Sequence, residues 1–205
     1  PVTWVAFFTH FTTQSTGTTF ALLWGVPFMV SALGLARGVA GGFLTLFVIT
    51  NASMGPVIGW FCAKYPQRRH VFVLSVVGAI VLAWIVVIAL AGPPPIWMLA
   101  ALVMIIGVGG PSSMVAFDYS KEAFPANELG ATNGLINVGG FLASLTMMWI
   151  IGFSLDAQGG PVLYTLDHFK IAFLLQLVVT VLGVIGFAWC LRLLRNNQAA
   201  AAVVE

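Results

Sequence analysis

Long apolar runs separated by short polar breaks dominate the chain. Residues 4–27, 38–62, 71–91, 96–117, 131–155 and 169–191 form stretches of 21 to 25 mainly hydrophobic side chains. About 20 such residues cross a hydrocarbon core of about 30 Å as a helix, so the pattern predicts six transmembrane helices. The breaks carry turn chemistry: Leu33-Gly34-Leu35-Ala36-Arg37, Lys64-Tyr65-Pro66-Gln67-Arg68-Arg69-His70, Gly92-Pro93-Pro94-Pro95, Lys121-Glu122-Ala123-Phe124-Pro125 and the long segment 156–168. An outer-membrane barrel needs alternating strands of about ten residues, and the sequence offers none. The expectation is an all-α membrane protein, with a six-helix bundle over residues 1–195 and a short tail over 196–205.

Composition narrows the function classes. Of 205 residues, 60% are hydrophobic and 7% charged, and the mean hydropathy is +1.03. A soluble domain carries about a quarter charged residues. Six helices leave too little chain for an extramembrane enzyme or a nucleic-acid-binding module, and a net charge of +2 does not point to a polyanion partner. The positions of Lys and Arg are more informative than their number. Lys64, Arg68, Arg69, Lys121, Arg192 and Arg195 fall on one side of the predicted membrane, and Arg37 and Lys170 on the other. The excess of basic residues marks the cytoplasmic side, which predicts a multi-pass protein of the cell (cytoplasmic) membrane with both termini in the cytoplasm. Cys62 and Cys190 lie at helix ends on that reducing side, which argues against a disulfide. The first residue is Pro, with no basic flank or cleavage signal, so the chain reads as the continuation of something longer.

The first helix is the most polar. Its leading half, Thr9-His10-Phe11-Thr12-Thr13-Gln14-Ser15-Thr16-Gly17-Thr18-Thr19, is unsuited to lipid. Helical spacing puts His10, Thr13, Gln14, Gly17 and Ala21 on one face, with Trp24 a turn further on. Two readings stand: a ligand-facing surface with His10 and Gln14 as hydrogen-bonding groups, or hydroxyls bonded to their own helix with Gln14 gluing it to a neighbour. His10 is the single ionisable residue well inside a helix, and the acidic residues Asp118, Glu122, Glu128, Asp156, Asp167 and Glu205 lie outside the span centres. Asn51 precedes Gly55, Pro56 and Gly59 on the second helix, where the glycines form a small face suited to close packing, static or sliding. The fourth helix carries Gly107-Val108-Gly109-Gly110-Pro111-Ser112-Ser113, a composition that predicts a flexible or broken helix lining a cavity. Asn133 and Asn137 share a face of the fifth, either lining a cavity or bonding between helices. His10, His70 and His168 lie apart, and neither cysteine has a second ligand at zinc spacing, so neither metal nor cofactor is expected. Ser112 and Ser113 lack a supporting base and a Gly-x-Ser-Gly motif, which argues against an intramembrane protease.

These features resemble the carboxy-terminal half of a major facilitator superfamily transporter, over about residues 4–195. The loop Gly59-Trp60-Phe61-Cys62-Ala63-Lys64-Tyr65-Pro66-Gln67-Arg68-Arg69 is similar to the family's Gly-x-x-x-Asp-Arg-x-Gly-Arg-Arg signature. It departs from it at Ala63 for Asp, Pro66 for the second Gly and Gln67 for Arg. Phe20-Ala21-Leu22-Leu23-Trp24-Gly25-Val26-Pro27-Phe28 resembles the end of the family's seventh helix. The stretch Gly130-Ala131-Thr132-Asn133-Gly134-Leu135-Ile136-Asn137-Val138-Gly139-Gly140-Phe141 resembles its eleventh. Ile58-Gly59-Trp60-Phe61-Cys62-Ala63 is echoed by Ile151-Gly152-Phe153-Ser154-Leu155-Asp156, as expected of two inverted three-helix repeats.

The resemblance implies one half of a twelve-helix fold, acting with an amino-terminal six-helix half missing from this chain. It implies a secondary active transporter, by symport or antiport, and not an enzyme. Such a protein moves a small solute by alternating access, with the first and fourth helices lining the central cavity. The polar faces nominate His10, Thr13, Gln14, Asn51, Ser112, Ser113, Asn133 and Asn137 for substrate binding. Gly55, Gly59, Lys64, Arg68 and Arg69 are nominated for conformational control at the cytoplasmic loop, against a purely topological role for the charges. The lack of a fixed carboxylate and of a buried Lys or Arg in the central cavity favours a neutral or amphipathic solute, or an anion held by the other half. The alternative is a six-helix membrane module that dimerises or has no transport activity by itself.

Overall fold

A computed structural model describes residues 1–159 and 164–201. The first helical run is α1 (Val2–Thr19), followed without interruption by a wide π-turn (Phe20–Trp24), the short piece Gly25–Pro27 and a second π-turn (Phe28–Ala32). Pro27 has no N–H to donate to the Leu23 carbonyl four residues back, and widened turns on either side absorb the mismatch. In them the Gly25 N–H reaches the Phe20 carbonyl and the Leu33 N–H reaches that of Phe28 at 3.2 Å. The helix thus runs to Ala32, past the end expected at Pro27. Gly34 closes it at φ +67°, a left-handed conformation that only glycine adopts without strain.

The second run, α2 (Arg37–Lys64), keeps Pro56 inside a continuous helix. A 3-10 turn (Pro66–Arg68) leads into α3 (Arg69–Ala89), so Arg69 and His70 form its first turn instead of part of a loop. After the prolines come α4 (Ile96–Gly107), α5 (Gly109–Ser113) and α6 (Val115–Ala123), separated by Val108 and Met114, both in right-handed helical conformation. Pro111 deprives the Gly107 carbonyl of its usual donor. The Val108 N–H is shared between the carbonyls of Met104 and Ile105 at 3.3 and 3.2 Å. The Gly-rich stretch, expected to be flexible or broken, is a helical path interrupted by tightened turns at Val108 and Met114. α7 (Leu129–Ala157) and α8 (Leu166–Ala201) complete the bundle. α8 continues as helix through residue 201, into the region expected as a tail. Residues 202–205 of that tail and 160–163 of the segment 156–168 lie outside the described residues.

Among the described residues, five helices are long and apolar enough to cross a membrane: Arg37–Lys64, Pro66–Ala89, Ile96–Ala123, Leu129–Ala157 and Leu166–Ala200. The first run is not among them, because Thr, Ser and Gln side chains interrupt its apolar surface. That run sits at the centre of the fold. α1 packs most extensively on α7, and also on α8, α5 and α6, so its threonines and His10 are buried by neighbouring helices. α2, by contrast, touches mainly α4 and α5 and leaves most of its surface open.

Aromatic packing holds one end of the bundle. Trp84 of α3 lies 4.4 Å from Phe173 of α8 between ring centroids, and Phe28 lies 5.1 Å from the same ring. The other end gathers the charges. Arg69 bonds Glu122 at 2.7 Å and Arg195 bonds His70 at 2.8 Å, which brings the starts of α3 and the ends of α6 and α8 together. Lys170, at the opposite end of α8, bonds the Leu90 carbonyl beyond α3. The two groups of basic residues separated on the sequence thus occupy opposite ends of the bundle.

Candidate functional site

The polar face of α1 resolves into two kinds of residue. The threonines satisfy themselves: the hydroxyls of Thr9, Thr12 and Thr13 donate to the carbonyls of Val5, Phe8 and Thr9 at 2.8, 2.8 and 2.7 Å. Thr19 reaches across to the Ser144 carbonyl of α7 at 3.3 Å. A helix carbonyl has a second lone pair free for such bonds, which lets hydroxyls enter a packed interface without a buried penalty. Thr13 is fully buried, with its backbone carbonyl pressed against Gly109. Ser112 and Ser113 behave alike, donating to Val108 and Gly110 carbonyls at 2.7 and 2.6 Å.

Gln14 and His10 are not satisfied in this way. Gln14 enters a cavity of about 230 Å³, together with Gly17, Thr18 and Ala21 of the first helix, Phe47 and Asn51 of α2, and Gly110 of α5. The Asn51 amide lies so close over Gly110 that a Cβ there would overlap it. Gly110 therefore lets α5 approach while leaving room for the amide. Three helices thus converge on a space whose polar groups are two carboxamides and a hydroxyl, all neutral, beside one aromatic ring.

His10 lies one turn before Gln14. Its Nδ1 is 3.2 Å from the Ser113 carbonyl. A carbonyl only accepts, so Nδ1 carries the proton and the neutral ring presents Nε2 as an acceptor. Nε2 is buried and has no hydrogen-bond partner among the described residues. Phe117 packs edge-on to the ring with centroids 5.3 Å apart. Gly140 of α7 covers both polar groups: a Cβ built there would stand 2.9 Å from His10 Nε2 and 3.3 Å from Gln14 Oε1. Asn137 approaches the ring without a hydrogen bond to Nε2, and its own residue is exposed. Asn133 is half-buried, with Oδ1 unpartnered among the described residues. An unpaired buried acceptor costs about 1–3 kcal/mol, and Ser15, Trp84, Ser120 and Gln176 also carry buried polar atoms without a partner among the described residues.

The structure therefore brings Gln14 and Asn51 together, sets His10 behind them, and leaves Asn133 and Asn137 on the α7 side. Thr13, Ser112 and Ser113 hold helices in place with hydroxyls already committed, and Ser113 adds a carbonyl that fixes the imidazole. Trp24 donates from Nε1 to the Met148 carbonyl at 3.0 Å, bracing the first helix on α7. Thr18, Phe47 and Phe117 were not singled out from the sequence. Phe47 lies four residues before Asn51, on the same helical face, which was the available signal. Among the described residues, no three His, Cys, Asp or Glu side chains converge as a metal site.

At the basic end, the loop residues separate as well. Arg69 is buried against Glu122, whereas Lys64 lies over the rings of Trp60 and Tyr65 at 4.9 and 5.4 Å, and Arg68 over Tyr65 at 5.6 Å. Gly55 and Gly59 face open space, with nothing within 4 Å of a Cβ built on either.

A model of the Major Facilitator Superfamily matches residues 3–203. The chain belongs to this superfamily. No curated protein and no solved structure matches it significantly. Major facilitator proteins are transporters rather than enzymes, so the chain is an integral, multi-pass membrane protein of the transporter type.

Proposed function

We propose that the chain is the carboxy-terminal six-helix half of a secondary active transporter of the cytoplasmic membrane, with both termini cytoplasmic. In this reading the first run, Val2 to Ala32, is the sixth span, and the helices form two inverted three-helix repeats. A small neutral or amphipathic solute binds to Gln14, Asn51 and Thr18, with His10, Asn133 and Asn137 supplying further polar groups. The amino-terminal half closes the other side of the site, and the halves rock to expose it alternately. Arg69 with Glu122, and Lys64 and Arg68 beside them, hold one of the two states at the basic end. The observation that carries the reading is the cavity where Gln14, Thr18 and Asn51 meet beside the unpaired Nε2 of His10. Polar groups left open inside an otherwise apolar bundle are expected where a membrane protein handles a ligand.

The test is accessibility. Asn51→Cys, on a background with Cys62→Ala and Cys190→Ala, is reconstituted in proteoliposomes with an amino-terminal six-helix half and exposed to an impermeant maleimide from either side. Labelling from both sides, each suppressed by locking the other side open, is the expected result. Labelling from one side only under every condition would sink alternating access, and two-sided labelling of the 205-residue chain by itself would sink the half-chain role.

A further inference from the structure

Away from the central cavity, the basic end carries a groove that the transport reading does not use. It has a volume of about 290 Å³ and lies between α3 and α8. Leu74 of α3 with Phe187 and Leu191 of α8 form its apolar wall, and Arg192, Arg195 and Asn196 form its mouth. Arg195 donates to His70 Nε2 at 2.8 Å, which anchors the guanidinium on the first turn of α3. Neither arginine pairs with a carboxylate among the described residues. Around the helix, Trp189 and Arg192 line a second hollow of about 410 Å³, and Trp189 is 66% exposed.

The arrangement is ordered along the membrane normal. α8 is 36 residues long, about 54 Å at 1.5 Å per residue, and therefore outruns a core of about 30 Å. Its apolar stretch gives way to charge at Arg192, with Trp189 one turn before, the sequence of a helix passing through the headgroup layer. At that depth two arginines and an amide flank an apolar wall. A free anion has no use for the wall, and a zwitterionic headgroup offers no net charge to the arginines.

We propose that this groove is a binding site for one anionic phospholipid of the leaflet at the basic end. Its phosphodiester bonds Arg192, Arg195 and Asn196, and one acyl chain lies along Leu74, Phe187 and Leu191. The inference goes beyond the transport reading and does not depend on it. The test is lipid retention by the purified full chain in detergent, counted by native mass spectrometry with phosphatidylglycerol, phosphatidylcholine or inorganic phosphate added. Wild type is expected to retain one phosphatidylglycerol in preference to phosphatidylcholine by about tenfold, and R192Q/R195Q to lose that preference. Arg37→Gln, at the opposite end, is expected to retain it. An unchanged preference in R192Q/R195Q overturns the proposal, and displacement of the lipid by millimolar inorganic phosphate overturns the lipid assignment in favour of a free anion. If circular dichroism shows R192Q/R195Q unfolded, Ala188→Trp decides: it narrows the groove with both arginines in place, and a preserved preference there overturns the proposal.

Discussion

At Gly140 a methyl group has nowhere to go, since it would sit 2.9 Å from His10 Nε2 with the Gln14 amide oxygen just beyond. Gly140→Ala is expected to lower stability by about 1–3 kcal/mol, the usual range for overpacking, read as a lower unfolding midpoint in detergent. On the same helix Gly134 meets nothing within 4 Å, and Gly134→Ala is expected to stabilise by up to about 1 kcal/mol through helix propensity alone. His10 yields a prediction with a sign. In the neutral ring Nδ1–H is committed to the Ser113 carbonyl, and acid adds a charge to a ring that the bundle buries. Protonation therefore favours the arrangement that admits water, and labelling of Asn51→Cys, taken relative to that of a fully exposed cysteine at the same pH, is expected to rise as the pH is lowered. In His10→Gln the dependence should vanish, and a profile that survives the substitution rejects His10 as the titrating group. The polar run 9–19 was legible as something that must avoid lipid. Its division into self-satisfied threonines and the open side chains of His10, Gln14 and Ser15 was not, because an i−4 carbonyl is on offer to every helical hydroxyl and the sequence does not record which of them uses it.

Between elements, Arg69 ties α3 to α6. Its side chain is 8% exposed while that of Glu122 is 59% exposed, so the pair is buried on one side only. Arg69→Gln is expected to cost about 1–3 kcal/mol, the range for a hydrogen bond to a charged group rather than that for a fully buried ion pair. Faster amide exchange over residues 115–123 would accompany the drop in unfolding temperature, and an unchanged exchange rate would show that α6 is held by packing alone. The helices themselves were legible because apolar runs of this length have few alternatives. Their ends were less so. Pro27 and Pro111 read as breakers, yet the first is absorbed by π-turns on either side, and the second falls in the first turn of α5, where a missing N–H removes no bond within that helix. The repair at Pro27 depends on neighbouring helices holding the chain straight, and a single segment does not record its neighbours. The meeting of Gln14 with Asn51 was half legible: each was marked as a polar group at depth, but the shared cavity with Phe47 and Gly110 depends on how α2 and α5 pack on α1.

On the scale of the molecule, the glycines divide by what they face. Those of α5 and of the middle of α7 press on backbone and rings, whereas Gly38, Gly41, Gly42, Gly55 and Gly59 along α2 face nothing. Glycine inside a helix costs about 0.5–1 kcal/mol relative to alanine, and five of them on the least buried helix are unexplained by any contact among the described residues. Close approach of another helix would explain them, since small residues let backbones pack in lipid. Under the half-transporter reading that helix belongs to the amino-terminal half. Gly55→Leu with Gly59→Leu should then leave the isolated chain no less stable, and more stable by up to about 2 kcal/mol through helix propensity, because nothing in it is displaced. The same pair should abolish co-purification with an amino-terminal half, because two leucines hold the backbones apart. Loss of self-association in the isolated chain, with the amino-terminal half still bound, would instead assign the α2 face to a second copy and favour the dimerising module. A fall in the midpoint of the isolated chain would mean that α2 already packs on its own bundle through this face, and would remove the argument for any partner there.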